Sequence, residues 1–189
     1  MKTLIVVIGK SASGKDTLTN KICKELNIQK VMQITTRPKR ENETDGVDYK
    51  FVTQQQMLDY VKQDKHCGLT SYDVVGDTWY YTYLKEDIEK HDVAICIANP
   101  KMAKKLKNLY PKQYVDIFVE ADMLTRVERS FNRDNITQVT AQEIIRRLRA
   151  DEEDFANVKY WFKIDNTVDG YDEFKTCVES HILNANRRN

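Results

Sequence analysis

The chain has 189 residues, 41% hydrophobic and 31% charged, with 30 Lys and Arg against 29 Asp and Glu and a net charge of +1. That length carries one domain with a proper core and room for a small insertion, and the near-neutral balance excludes a global field that would draw nucleic acid or an anionic membrane. The four cysteines, Cys23, Cys67, Cys96 and Cys177, stand far apart with no C-x-x-C pair, which favours buried reduced thiols over zinc or redox chemistry. No apolar stretch is long enough to span a bilayer and no signal-peptide pattern opens the chain, so a soluble cytoplasmic protein is expected.

In chain order, "LIVVI" (residues 4–8) is a β-branched run that predicts a strand buried on both faces, as in a parallel sheet. Leu18, Ile22 and Leu26 then repeat every four residues, giving a helix one apolar face. "KVMQIT" (30–35) predicts a further strand. Residues 49–83 differ in character: a strand "YKFV", a helix opening at Thr53 with Gln56 as a capping box, and aromatic-rich strands around a Gly76-Asp77 turn. "DVAICIA" (92–98), "YVDIFVE" (114–120) and "YWFKID" (160–165) each lie between stretches of helical period. Thr140 and Glu143 form a capping-box pattern for a helix over 140–155. Strands alternating with helices predict a parallel α/β sheet with right-handed crossovers.

The most specific chemistry lies directly after the first strand. Gly9, Lys10, Ser11, Ala12, Ser13, Gly14 and Lys15 have the spacing G-x-x-x-x-G-K between a strand and an amphipathic helix. In that context backbone N–H groups and the helix N-terminus point at one anion, while Lys15 reaches its terminal phosphates. An ordinary strand-to-helix turn is the bland alternative. Asp16 departs from the pattern, which wants a hydroxyl there for Mg²⁺; a carboxylate is itself a hard-oxygen ligand, and Thr17 keeps a hydroxyl in reach. Asp16 and Thr17 are therefore the candidate metal ligands, against the simpler reading that Asp16 charges the first helical turn.

A second anion site is suggested by "ITTRPKRENETDGVDYKFV" (34–52), which brings Arg37 and Arg40 close together beside Pro38. Paired guanidinium forks grip a phosphate bidentately, although on spacing alone a solvated basic loop serves as well. The segment resembles the guanylate kinase signature, T-T-R-x-x-R followed by an acid-rich turn, a Gly and D-Y-x-F. The resemblance runs from the phosphate loop to the last helix, sparse outside the signatures. It implies an α/β P-loop kinase with a central parallel sheet flanked by helices. The core would be residues 1–35 and 84–189, the inserted α+β monophosphate-binding subdomain 36–83, and the helical lid about 124–147.

Carried over, the resemblance implies that Arg37, Arg40, Tyr49 and Tyr80 hold the acceptor phosphate, with Thr82 near the base. Arg129 and Arg133 would be lid arginines, Arg147 would reach between donor and acceptor phosphates, and Asn166 would contact the adenine of ATP. On the helix itself, Arg126, Arg129 and Arg133 fall on one face and Leu124, Val127 and Phe131 on another, so the basic stripe would face a cleft while the apolar one packs. The departures from the resemblance concern the metal and base readout. Cys96 and Ala98 stand where acids are usual, one of them near the metal, Gln33 replaces a Ser that helps hold the base, and Gly68 falls near a guanine-reading Glu.

The implied reaction is ATP-dependent phosphoryl transfer to a nucleoside monophosphate, GMP or dGMP first, with Mg²⁺ and altered base preference expected. An acceptor phosphate with a second pKa near 6 needs no general base, so cations should dominate the candidate residues, as they do. Two other readings stay open at this point: a P-loop kinase for another small phosphorylated acceptor, and a noncatalytic binding module. Such modules typically lose the phosphate loop, which is retained here.

Overall fold

In the structure, a computed structural model that describes residues 1–40, 43–74, 77–133 and 138–187, the apolar N-terminal run lies at the centre. It forms β1 (Thr3–Ile8), buried along its whole length, and feeds the loop that opens α1 (Lys15–Glu25). There follow β2 (Gln29–Lys30), β3 (Ile34–Thr35), β4 (Lys50–Phe51), α2 (Gln54–Lys62), β5 (Thr70–Val74), β6 (Asp77–Thr82) and α3 (Lys85–Glu89). The chain then runs through β7 (Val93–Ala98), α4 (Pro100–Leu109), β8 (Tyr114–Glu120), α5 (Met123–Arg133), α6 (Gln138–Phe155), β9 (Phe162–Asp165) and α7 (Tyr171–Arg187).

The larger sheet has the order β2-β7-β1-β8-β9, with every pairing parallel. Alternation along β1 sends its residues to two separate layers. Leu4, Val6 and Ile8 pack with Met102, Ala103 and Leu106 of α4, whereas Ile5 and Val7 pack with Leu18 and Ile22 of α1 and Phe174 and Val178 of α7. A strand covered on both faces must be apolar at every position, which is why the sequence there shows a run and no alternation. Cys23, Cys67 and Cys96 are buried free thiols and Cys177 is a half-buried one, each pushed up in pKa mainly by burial.

The second sheet, β4-β3-β6-β5, is mixed and small. Its core is Ile34, Met57 and Leu84, and α2 carries the expected capping box between Thr53 and Gln56. The single strand expected over 30–35 is in fact divided between the sheets. Val31 donates its N–H to the Ile95 carbonyl at 2.8 Å in the larger sheet, and after Met32 and Gln33 the chain joins the smaller one at Ile34. Both apolar ends of that run are buried, in different cores, so hydropathy alone could not show the break. The smaller sheet thus begins ahead of residue 36. Asp77 pairs with Val74 as the first residue of β6, and Gly76 of the expected turn lies outside the described residues.

Tyr83 ties the two sheets together. Its ring is 1% exposed, and its hydroxyl donates to the Ile97 carbonyl at 2.5 Å while accepting from the Ile97 N–H at 3.1 Å. Both Ile97 groups would lose a partner without that oxygen. Tyr83→Phe should lower the unfolding free energy by about 1–3 kcal/mol, the cost of stranding buried polar groups, as measured by urea denaturation.

Candidate active site

The loop between β1 and α1 is braced from three sides. Gly9 lies so close to the Val119 carbonyl that a Cβ there would collide with it, and Gly14 holds φ at 87°, the left-handed region, as the N-cap of α1. Ala12 shares that region with φ at 59°. The Ser13 carbonyl accepts from Asn166 Nδ2 at 2.8 Å, and Arg129 donates to the Asn166 carbonyl at 2.8 Å while its other terminal nitrogen lies 3.4 Å from the Ser13 carbonyl. Opposite these, α6 brings Asp151, which accepts from the Ser11 N–H at 2.7 Å, and Glu152, which pairs with Lys10 at 2.6 Å. Lys15 is half-buried, and its ammonium lies 3.4 Å from the exposed Asp16 carboxylate. Thr17 is exposed beside it.

Arg37 is 5% exposed and grips Glu43 with one terminal nitrogen, 2.7 and 2.9 Å from the two carboxylate oxygens, while the other donates to the Pro38 carbonyl at 2.9 Å. Arg40, more exposed, donates its backbone N–H to the same carboxylate at 3.0 Å. Burial alone would raise Glu43, yet Arg37 and the Arg40 N–H hold it below the usual carboxylate value. The Arg37 guanidinium lies 5.3 Å from the Tyr49 ring. Burial, and next the Asp16 charge, push the Tyr49 hydroxyl up to about 12, so it remains a donor at neutral pH.

These parts meet in a cavity of about 180 Å³ lined by Ser11 of the loop, Arg37 and Arg40, the hairpin aromatics Tyr72, Trp79 and Tyr81, and a face of α6 that includes Arg146, Arg147 and Asp154. The structure therefore brings Ser11, Arg37, Arg40 and Arg147 together, as the sequence suggested. It does not bring Tyr80 or Thr82 into the cavity. Successive strand residues point to opposite faces, and on β6 it is Trp79 and Tyr81 that face inward. Tyr80 packs with the small core around Ile34, and Thr82, fully buried, donates to the Gly68 carbonyl at 2.9 Å. Gly68, where the resemblance would have a guanine-reading Glu, lies outside the cavity lining and against Lys105.

Two further residues are held by contacts the sequence did not show. Asn166 is 7% exposed, with Nδ2 donating to the Ser13 carbonyl and Oδ1 accepting from the Gly170 N–H at 3.1 Å, so it braces the loop. On α5 the buried face carries Arg126 and Ser130, at 2% and 3% exposure, while Leu124 is 68% exposed. The carboxylates of α6 draw Arg126 inward, with Glu152 at 2.9 Å and Asp151 at 3.7 Å. Arg129 does lie against the loop, and the side chain of Arg133 lies outside the described residues. Sequence reasoning missed Glu43, Tyr72, Trp79, Tyr81, Arg146 and Asp151. Of these only Glu43, an acid three residues after Arg40, carried a local signal.

A phosphate-binding loop at the end of a parallel strand, facing paired arginines on an inserted sheet and further arginines on a helical arm, defines a P-loop phosphotransferase with a second phosphate-bearing substrate. The guanylate kinase family profile matches residues 1–183. A guanylate kinase of Streptococcus mutans is 30% identical over 189 residues, spanning 95% of this chain and 84% of its own. One from Carboxydothermus hydrogenoformans is 29% identical over 162 residues, 84% of this chain and 76% of that one. The crystal structure of guanylate kinase from Anaplasma phagocytophilum shares the fold, with a TM-score of 0.63 at 20% identity over 97% of this chain and 85% of that one. The chain belongs to the guanylate kinase family. It is a nucleoside monophosphate kinase that uses ATP as donor.

Glu143 gives the site a pH signature. Hydrogen bonds from Arg146, at 2.7 and 2.9 Å, and from Arg147, at 2.8 Å, hold its carboxyl down at about 2 against burial, which raises it. A carboxyl depressed in the folded state stabilises above its unfolded value of about 4.3, and that contribution is lost as pH falls toward about 2. Glu143→Gln should therefore flatten the fall in unfolding midpoint between about pH 4.5 and about pH 2, with little change in shape above that window, as followed by thermal melts.

Proposed function

We propose that this protein transfers the terminal phosphoryl group of ATP to GMP. The observation that carries the reading is the shared cavity, in which Ser11 of the phosphate loop, Arg37 and Arg40 on the inserted sheet, and Arg146 and Arg147 on α6 line one space. Donor and acceptor phosphates are both anions, so the chemistry consists of bringing them into line and neutralising the charge that builds between them.

Lys15 serves the donor's terminal phosphates from the first turn of α1, where the leading backbone N–H groups have no helical partner. Arg37 and Arg40 hold the acceptor phosphate, with Tyr49 and Tyr81 as hydroxyl donors beside them. Arg147, on the α6 side of the same cavity, bridges the two phosphates, and Arg146 supports it. Arg129 fixes the loop through its contacts with the Ser13 and Asn166 carbonyls. A Mg²⁺ between phosphates needs only one or two protein oxygens, which fits the exposed Asp16 carboxylate and Thr17 hydroxyl. When bound it would neutralise developing charge on the phosphates.

The direct test of the donor side is Lys15→Ala, expected to retain the wild-type melting curve and to lose turnover of ATP and GMP in a coupled assay. Turnover at the wild-type rate would sink the loop assignment.

Asp16 is tested separately. Asp16→Asn should raise the Mg²⁺ concentration giving half-maximal rate, while Asp16→Ser should remain close to wild type because a hydroxyl is the usual partner at that place. A Mg²⁺ dependence unchanged in Asp16→Asn would show that the carboxylate only charges the helix end.

A further inference from the structure

The end of the cavity away from Arg37 is built from aromatic rings joined to the N-terminus of α4. Tyr49 and Tyr81 are 6.4 Å apart by centroid, and Tyr81 and Tyr72 meet edge to face at 5.5 Å. The Tyr72 hydroxyl in turn meets Asn99. This row runs from Arg37 to the first turn of α4, so a nucleotide whose phosphate lay on Arg37 would extend along it toward Tyr72.

The polarity of that end is fixed by helix capping. Asn99 is the N-cap of α4, and its Oδ1 accepts from the Met102 N–H at 2.8 Å, which settles the amide orientation. Nδ2 therefore points the other way and donates to the Tyr72 hydroxyl at 2.6 Å. With that oxygen accepting from Asn99, the Tyr72 O–H proton is directed elsewhere, and the phenol presents a donor. Burial raises the Tyr72 pKa, so the proton stays on at neutral pH. On the facing helix, Asp154 lines the same cavity and lies 3.7 Å from the Lys101 ammonium, whereas Asp151 is committed to the Ser11 N–H.

We propose that Tyr72 and Asp154 read the acceptor base, Tyr72 donating to a ring carbonyl and Asp154 accepting from the adjacent ring N–H, with Asn99 as the positioning residue that sets the direction of the Tyr72 hydrogen bond. A donor beside a carboxylate complements a lactam edge, the O6 and N1–H of a 6-oxopurine. Adenine presents the opposite pattern, an amino donor toward Tyr72 and a bare ring nitrogen toward Asp154, and leaves both protein groups unpaired. This inference rests on the acceptor assignment above.

The test is steady-state kinetics with GMP and with AMP at fixed ATP. Tyr72→Phe and Asp154→Asn should each lower the GMP to AMP ratio of kcat/KM by about ten- to a hundredfold, with the KM for ATP unchanged. Asn99→Asp keeps an equally good cap but accepts the Tyr72 proton, turning the phenol oxygen into an acceptor, and should lower the ratio likewise. A ratio unmoved in Tyr72→Phe and Asp154→Asn, or parallel losses on both acceptors, would overturn the inference while leaving the kinase assignment standing. Wild-type protein inert toward GMP would overturn the acceptor assignment and this inference together.

Discussion

The whole site depends on how the end of β1 is held. A loop that aims its backbone at phosphate has few hydrogen bonds of its own to hold it, here the Ser13 N–H to the Lys10 carbonyl at 3.2 Å. The neighbouring strands supply the stiffness from outside. The end of β8 presses on Gly9 through the Val119 carbonyl, and the chain leaving β9 sends Asn166 to the Ser13 carbonyl. Asn166 itself donates its backbone N–H to the Glu120 carbonyl at 2.7 Å, so loop, β8 and β9 form one hydrogen-bonded unit. Burial of β1 on both faces anchors that unit in the core. Precision at the phosphates is thus a property of the parallel sheet.

The arginines face the opposite difficulty, since cations with no anion to meet repel one another. Here several are paired with carboxylates, Arg37 with Glu43, Arg146 and Arg147 with Glu143 and Arg126 with Glu152, while Arg129 is held by the Asn166 carbonyl. These acids fix guanidinium orientation before substrate arrives, which reduces the rotamer freedom lost on binding. They also temper the positive field of the cavity. Binding of phosphate then exchanges or shares arginine partners, so the gain in ground-state affinity is smaller than the count of cations suggests. Such tempering favours rate over uniform binding, because charge that develops only during transfer meets arginines already in place.

How much was legible in the sequence follows from how local each feature is. The phosphate loop, the buried strands and the α2 capping box were readable because a few consecutive residues determine them. The Arg37 and Arg40 pair was readable for the same reason. That Tyr81 and not Tyr80 lines the cavity was not readable, because the inward face of a hairpin is set by pairing with β5 and β3, and a one-residue slip exchanges the two faces. Arg126 was misplaced because a helix stripe of Leu124, Val127 and Phe131 outranks an arginine on hydropathy. Only the approach of Asp151 and Glu152, more than twenty residues later, reverses that order. The tie from Asn99 to Tyr72 joins α4 to β5 and had no sequence signature at all.

That tie shows how specificity can move while catalysis stays fixed. The groups that handle phosphate carry formal charge and act on an ion common to every nucleotide, so their geometry is bound to the loop and the sheet. The groups that handle the base are neutral or singly charged and gain selectivity from the direction of one or two hydrogen bonds. A hydroxyl has no inherent direction, and the direction it takes is dictated by its partner. When the partner is a helix N-cap, as Asn99 is, rotation of its amide would strand the Met102 N–H at the first turn of α4. Base preference is then enforced by helix capping: the stability of α4 and the choice of acceptor rest on the same side chain.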